Sequence, residues 1–385
     1  MPLFLLCASC GHELRPTPNT SDSRADSLAK QGFSVEIEKW YNAHTAALSI
    51  TFDAGWVSSP LCEPVNDHIR KRKLHLGYEM VTSGFRAFPE LFRYAEEHLE
   101  KEHFSFFGHG DYHVAHDKLL PDSAYSSFLK CWTTMKNLGL QPISYAYPEG
   151  AGFFPWTQDA VRRAGFLSAR AHNTHLSGKA MLIVPDGIKE PANWYFLPSL
   201  VMQNENFARC ADCINNTREL VPYLDMALKH HAWIISTYHA IGDTTSWGYY
   251  QLHDFIADMD SIAKRDFWCT SMDNITLYVR ERARARVELS PLSASSLFPS
   301  PNNDKAILAL RVSDDLDNAV FSHALTLTLR LPHSWKGQRV VVTKQGMAGN
   351  VAEYSVQSSE QLGQYIRMNC VPDEETYVLR CVVGK

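Results

Sequence analysis

Two regimes of apolar and polar patterning divide this chain. From about residue 46 to residue 285, short apolar runs alternate with segments in which apolar residues recur every three or four positions. The runs at 46–52, 74–81, 104–107, 143–147, 166–170, 233–238 and 267–270 read as strands. The segments at 62–73, 89–99, 123–138, 156–164, 219–230 and 250–263 read as helices. In the first, Val65 and Ile69 stand at i, i+4; in the second, Leu91, Phe92, Ala95 and Leu99 share one face. Gly165 stops the fourth helix, and a last helix is expected from 273 to about 285 with Ser271 as its N-cap. Repeated strand–helix units with buried strands predict an α/β fold built on a parallel barrel or sheet. Residues that close such strands share one face, where these folds place their chemistry.

Past residue 289 the pattern changes. Residues 290–303 are rich in Ser, Pro and Asn and have no period. Strands follow at 306–312, 324–331, 339–343 and 376–383, and Leu325-Thr-Leu-Thr-Leu-Arg-Leu331 alternates as one buried face requires. This predicts a small all-β sandwich module. The expected organisation is a leader and polar linker at 1–32, a catalytic domain at 33–288, a linker at 289–303 and the β module at 304–385.

Composition narrows the classes. The chain has 385 residues and a net charge of -5, which gives no basic footprint for nucleic acid. The start is a short apolar run ending in Ala8-Ser9-Cys10, without a basic region before it. It resembles the end of a bacterial lipoprotein signal with Cys10 as the lipidated residue. That predicts an exported chain, periplasmic, secreted or held at a cell surface by a lipid anchor; the alternative is a disordered leader with no address. Among nine cysteines, Cys210 and Cys213 form a C-x-x-C, suited to a local disulfide or half of a metal site. Cys370 and Cys381 are placed to meet across a hairpin.

Three stretches at strand ends carry the candidate chemistry. Asp53 closes Ser49-Ile-Thr-Phe-Asp53; His109 and His113 follow the strand at 104–107; His239 closes Trp233-Ile-Ile-Ser-Thr-Tyr-His239. The i, i+4 spacing of His109 and His113 puts two imidazoles on one face of a helical turn, close enough to share an ion. With Tyr147-Pro148-Glu149-Gly150 between them, their order and spacing resemble the active site of the polysaccharide deacetylases, carbohydrate esterase family 4. The resemblance covers roughly residues 45 to 285.

The resemblance implies a distorted (β/α) barrel of about seven units and hydrolysis of the acetamide of an N-acetylhexosamine glycan. It implies a divalent metal, usually zinc, held by His109 and His113, with Asp53 as base and His239 as acid. It also implies a backbone amide just after Pro148, at Glu149, near the oxyanion, with Tyr147 in the same motif. Arg170 is a candidate support for the Asp, and Asp243 a candidate partner of His239. One position departs from the family: where it has a second Asp as metal ligand, this chain has Ala54. Three readings follow. Another carboxylate, such as Asp111, completes the site; the chain is a degenerate glycan-binding relative; or Ala54 is an engineered replacement of an Asp. A metal-independent amidohydrolase is a further alternative.

Overall fold

The computed structural model describes residues 28–30, 32–53, 60–172, 176–204, 213–292, 307–344, 354–373 and 376–382. Ala54, Cys10 and Cys210 lie outside the described residues. In chain order the first elements are β1 (Ser34–Ile37), β2 (Ala46–Asp53), α1 (Cys62–Lys71), β3 (Leu76–Met80), α2 (Thr82–Ala87), α3 (Pro89–His98), β4 (Phe104–Gly108) and α4 (Pro121–Asn137). β5 (Ser144–Ala146), α5 (Pro155–Arg163), β6 (Ser168–Arg170), β7 (Leu200–Met202), α6 (Thr217–Lys229), β8 (Trp233–His239), α7 (Leu252–Ala263), β9 (Phe267–Cys269) and α8 (Met272–Arg284) follow. Pro89, Pro121 and Pro155 each open a helix, where a missing N–H costs nothing. Ser271 caps α8 as expected, accepting from the Asn274 N–H at 3.1 Å.

The barrel strands run β6-β5-β4-β3-β2-β8-β7, all parallel, and β9 lies along the first residues of β2. β2 is buried along nearly its whole length, as a parallel strand covered on both faces must be. The seam closes without a regular strand. Leu197, just before β7, donates to Ala169 O and accepts from Ala171 N, both at 2.9 Å. The sheet thus curls into a distorted barrel, within the barrel-or-sheet class that the alternation predicted and of the shape that the resemblance implied.

The β module is built of two antiparallel sheets, called the sandwich below, but it does not start where the linker suggested. β10 (Arg286–Pro291), β11 (Ile307–Ser313), β12 (Leu325–Arg330), β13 (Arg339–Lys344), β14 (Tyr354–Ser359), β15 (Gly363–Cys370) and β16 (Thr376–Val382) form two antiparallel sheets. One is ordered β10-β11-β16-β13, so β10 runs through the expected boundary at 288/289 and into the expected linker. The other is ordered β1-β12-β15-β14, so a strand from before the barrel completes it, pairing Ser34–Ile37 with Arg330–Leu327. The physical reason is edge satisfaction: β12 has apolar Leu325, Leu327 and Leu329 facing the core and needs a neighbour on each side.

Leu28, within the stretch expected as leader and linker, is only 4% exposed, and Phe33 meets Trp335 edge-on at 5.1 Å. One apolar cluster joins Ala47 and Trp233, at the starts of β2 and β8, to Leu310, Leu327 and Ile366 of the sandwich. The sandwich therefore packs on the strand starts and leaves the strand ends open. Cys370 and Cys381 fall in different sheets and are not disulfide-linked. Cys213 is disulfide-bonded. Among the described residues no helix is long and apolar enough to cross a membrane.

Candidate active site

Parallel pairing of β2 with β8 sets Asp53 directly beside His239. One step down the strands, Thr51 Oγ1 donates to Thr237 Oγ1 at 3.1 Å, locking that register inside the barrel. β4 delivers the next group. The His109 N–H continues the ladder to Met80 O at 2.9 Å, and the chain then reverses at Gly110, whose φ is 96°. A Cβ there would stand 2.6 Å from Tyr112 O, so the turn requires glycine.

The turn replaces the helical geometry expected for His109 and His113. The two rings come together from a loop, with centroids 4.9 Å apart. Asp111 anchors that loop and does not reach the site. Its buried carboxylate accepts from Thr82 Oγ1 at 2.9 Å, lies 3.0 Å from Lys130 Nζ and pairs with Arg86.

Three imidazoles face one carboxylate oxygen. Asp53 Oδ2 lies 3.2 Å from His109 Nε2, 3.7 Å from His113 Nε2 and 4.0 Å from His239 Nε2. Burial would raise the Asp53 pKa, but the neighbouring His109, His113 and His239 hold it well below its ordinary value. Burial opposes the charged form of His109, yet the Asp53 and Glu79 carboxylates keep its pKa raised. His239 is pushed down to about 4, chiefly by burial, so it is neutral at neutral pH.

Two buried groups stand behind His109. Its Nδ1 lies 3.0 Å from Ala146 O and 3.1 Å from Glu79 Oε2. Glu79 in turn pairs with Arg170, and both side chains are 0% exposed. Arg170 thus reaches Glu79 and not Asp53, the residue it was expected to support. His172, two residues further on, packs edge-on against His239 at 5.3 Å.

The remaining sequence candidates divide. Glu149 lines the site cavity, with φ 55°, and its carboxylate bonds Lys118 Nζ at 2.8 Å. Pro148 is buried, and Tyr147 points into the core, where its hydroxyl donates to Tyr195 O at 3.0 Å. Asp243 lines a cavity beside His239, but its carboxylate serves its own loop, accepting from Thr245 and Ser246. Among the described residues His239 Nδ1 has no hydrogen-bond partner.

A cavity of about 690 Å³ opens over this cluster, bounded by Asp53, His109, His113, Glu149, His172, His239 and the exposed rings of Phe153 and Trp247. A second space of about 540 Å³ continues past Asp53 and His239 towards Leu61, Val81, Phe85 and Ile241. Sequence reasoning did not single out Glu79, His172, Phe153 or Trp247. A charge inside the apolar strand Leu76-Gly-Tyr-Glu-Met80 was a signal for Glu79, and alternation from Arg170 was one for His172. Nothing in the sequence marked the two rings.

The donor set suits a divalent cation. Asp53, His109 and His113 offer ligand atoms within 4.8 Å of one another, and among the described residues buried His109 Nε2 makes no regular hydrogen bond, only the 3.2 Å contact with Asp53 Oδ2. Two imidazoles and a carboxylate, open to a cavity, match the three-ligand sets of catalytic zinc sites. The carboxylate is Asp53 itself, not Asp111.

No family model matches the chain, and no curated protein matches it. Solved structures do. One is a protein of Mycobacterium smegmatis assigned as a polysaccharide deacetylase: 15% identity, TM-score 0.46, covering 63% of this chain and 93% of that one. The peptidoglycan deacetylase PdaC from Bacillus subtilis gives 12%, 0.38, 62% and 92%. BA3943, a CE4 family pseudoenzyme from Bacillus anthracis, gives 11%, 0.39, 60% and 65%. At TM-scores below 0.5, no residue role is carried over from them.

Proposed function

We propose that this chain hydrolyses the acetamide of an N-acetylhexosamine oligomer or polymer, with Asp53, His109 and His113 holding a divalent ion, zinc by donor type. The observation that carries this reading is the convergence of three imidazole Nε2 atoms within 4.0 Å of Asp53 Oδ2 at the open end of the barrel. An ion bound there supplies Lewis acidity to the amide carbonyl and to the attacking water.

The chain's own residues divide the remaining work. Asp53 stays ionised and serves as a ligand, which relieves it of the base role expected from sequence. His239, neutral and facing the same point, takes the proton from the attacking water. As imidazolium it returns that proton to the amine nitrogen as the C–N bond breaks, so the proton count closes on one side chain. Phe153 and Trp247, 52% and 55% exposed, flank the cavity and offer ring faces to a sugar. We also propose export of the chain, on the strength of Ala8-Ser9-Cys10.

A second reading is glycan binding without turnover. It is favoured by His239 Nδ1, which has no carboxylate behind it to hold a positive charge. Acetate release from N-acetylglucosamine oligomers by the zinc-supplemented full chain separates the two. The hydrolase reading expects acetate, abolished by a chelator. Oligomer binding with no acetate released leaves the binding reading.

A further inference from the structure

We propose that Glu79, backed by Arg170, is a positioning residue that presents His109 for metal ligation and raises the affinity of the site. The inference rests on the metal site proposed above.

Glu79 is the one charged residue of β3, and its side chain is fully buried. An ionised carboxylate in such a place is costly unless compensated. Arg170 gives partial compensation. It sits on β6, with two strands between it and β3 in the sheet, so the pair spans the concave side of the barrel beneath the site. The compensation is incomplete: among the described residues Arg170 Nε and Nη1 and Glu79 Oε2 have no hydrogen-bond partner. A pair serving packing alone would be expected to use those atoms.

The unused Oε2 points to a purpose. It lies 3.1 Å from His109 Nδ1, whose hydrogen bond goes to Ala146 O at 3.0 Å. Two acceptors beside Nδ1 fix the proton on that nitrogen. In the neutral ring the lone pair is then on Nε2, which lies 3.2 Å from Asp53 Oδ2. When Nε2 binds a cation, positive charge spreads over the ring and the Nδ1–H becomes a stronger donor. A carboxylate at 3.1 Å then gains where a carbonyl alone gains less. Carboxylates behind ligating histidines orient the ring and raise its basicity, and losing one costs about 10–100-fold in metal affinity.

The test is zinc titration calorimetry on the metal-stripped full chain, comparing the parent with Glu79→Gln and with Glu79→Gln/Arg170→Gln. The double variant removes both buried charges and serves where the single one does not fold. The expected result is one zinc per parent chain and at least about tenfold weaker binding by whichever variant folds. ¹⁵N shifts of the His109 ring in the metal-free proteins supply a second readout. At a pH high enough to leave the metal-free ring neutral, they should show Nδ1–H in the parent and a measurable Nε2–H population once an amide can face Nδ1. Variants that bind zinc within about threefold of a zinc-binding parent would show the pair to be structural and overturn the inference. A parent that binds no zinc overturns the metal site itself, and this inference with it.

Discussion

Asp53 Oδ2 lies 3.2 Å from His109 Nε2, the shortest of its three imidazole contacts, at the point where two barrel strands end and a third hands over to a glycine turn. On the proposed reading, this contact puts the carboxylate at 53 among the metal-binding donors and leaves the proton work to His239.

His239 should therefore behave as a base. Its pKa is lowered to about 4, so it is charged below that value and neutral above it. With zinc kept saturating, turnover should not fall between pH 5 and pH 7, because His239 is already neutral there. His239→Ala should lower kcat by at least about 10² with KM changed less than threefold. Activity that instead falls as pH rises above 5 would mean that a protonated His239 does the work.

Ala54→Asp tests how far one carboxylate is overloaded. A second carboxylate at the next residue would let Asp53 act as base while zinc keeps three protein ligands. Zinc affinity and kcat on N-acetylglucosamine oligomers should each rise at least about tenfold, ~1.4 kcal/mol apiece. No change in either would mean that Asp53 alone already saturates the site.

Much of this was legible in the sequence, for a definable reason. β2 and β8 are continuous apolar runs, so their last residues, Asp53 and His239, were visibly placed at strand ends. The i, i+4 spacing joined His109 to His113 correctly but through the wrong local structure, because Gly110 at positive φ makes a turn there. Asp111 looked close in sequence, yet Arg86 and Lys130 hold it elsewhere. Those partners lie in other helices, and no local pattern announces them. β1 was hidden because four residues are too few for a reliable period and its partner β12 is some 290 residues away.

The contribution of the N-terminal segment to the sandwich is measurable. Phe33 is 5% exposed and packs edge-on against Trp335. Phe33→Ala should destabilise the full chain by about 3 kcal/mol in urea unfolding. A loss under 0.5 kcal/mol would show that the segment does not dock as described.

Glu281 sets a pH response at the junction of barrel and sandwich. It sits on α8, accepts from the His323 N–H at 2.9 Å, and among the described residues has its other oxygen without a hydrogen-bond partner. Burial raises its pKa from 4.5 to about 8. The folded chain thus keeps a proton that the unfolded chain releases. The stability this provides is complete below about 4.5 and is lost as pH rises through about 8. Glu281→Gln should raise Tm relative to the parent by at least about 2 °C at pH 9 and much less at pH 5. Equal offsets at both values would remove Glu281 as the cause.

The most direct test of the account is zinc stoichiometry and affinity of the metal-stripped full chain, measured beside Asp53→Ala and His113→Ala. One ion per chain is expected, with each variant at least about tenfold weaker. Absence of saturable zinc binding by the parent, or equally tight binding by both variants, would contradict the assignment of Asp53, His109 and His113 as a metal site.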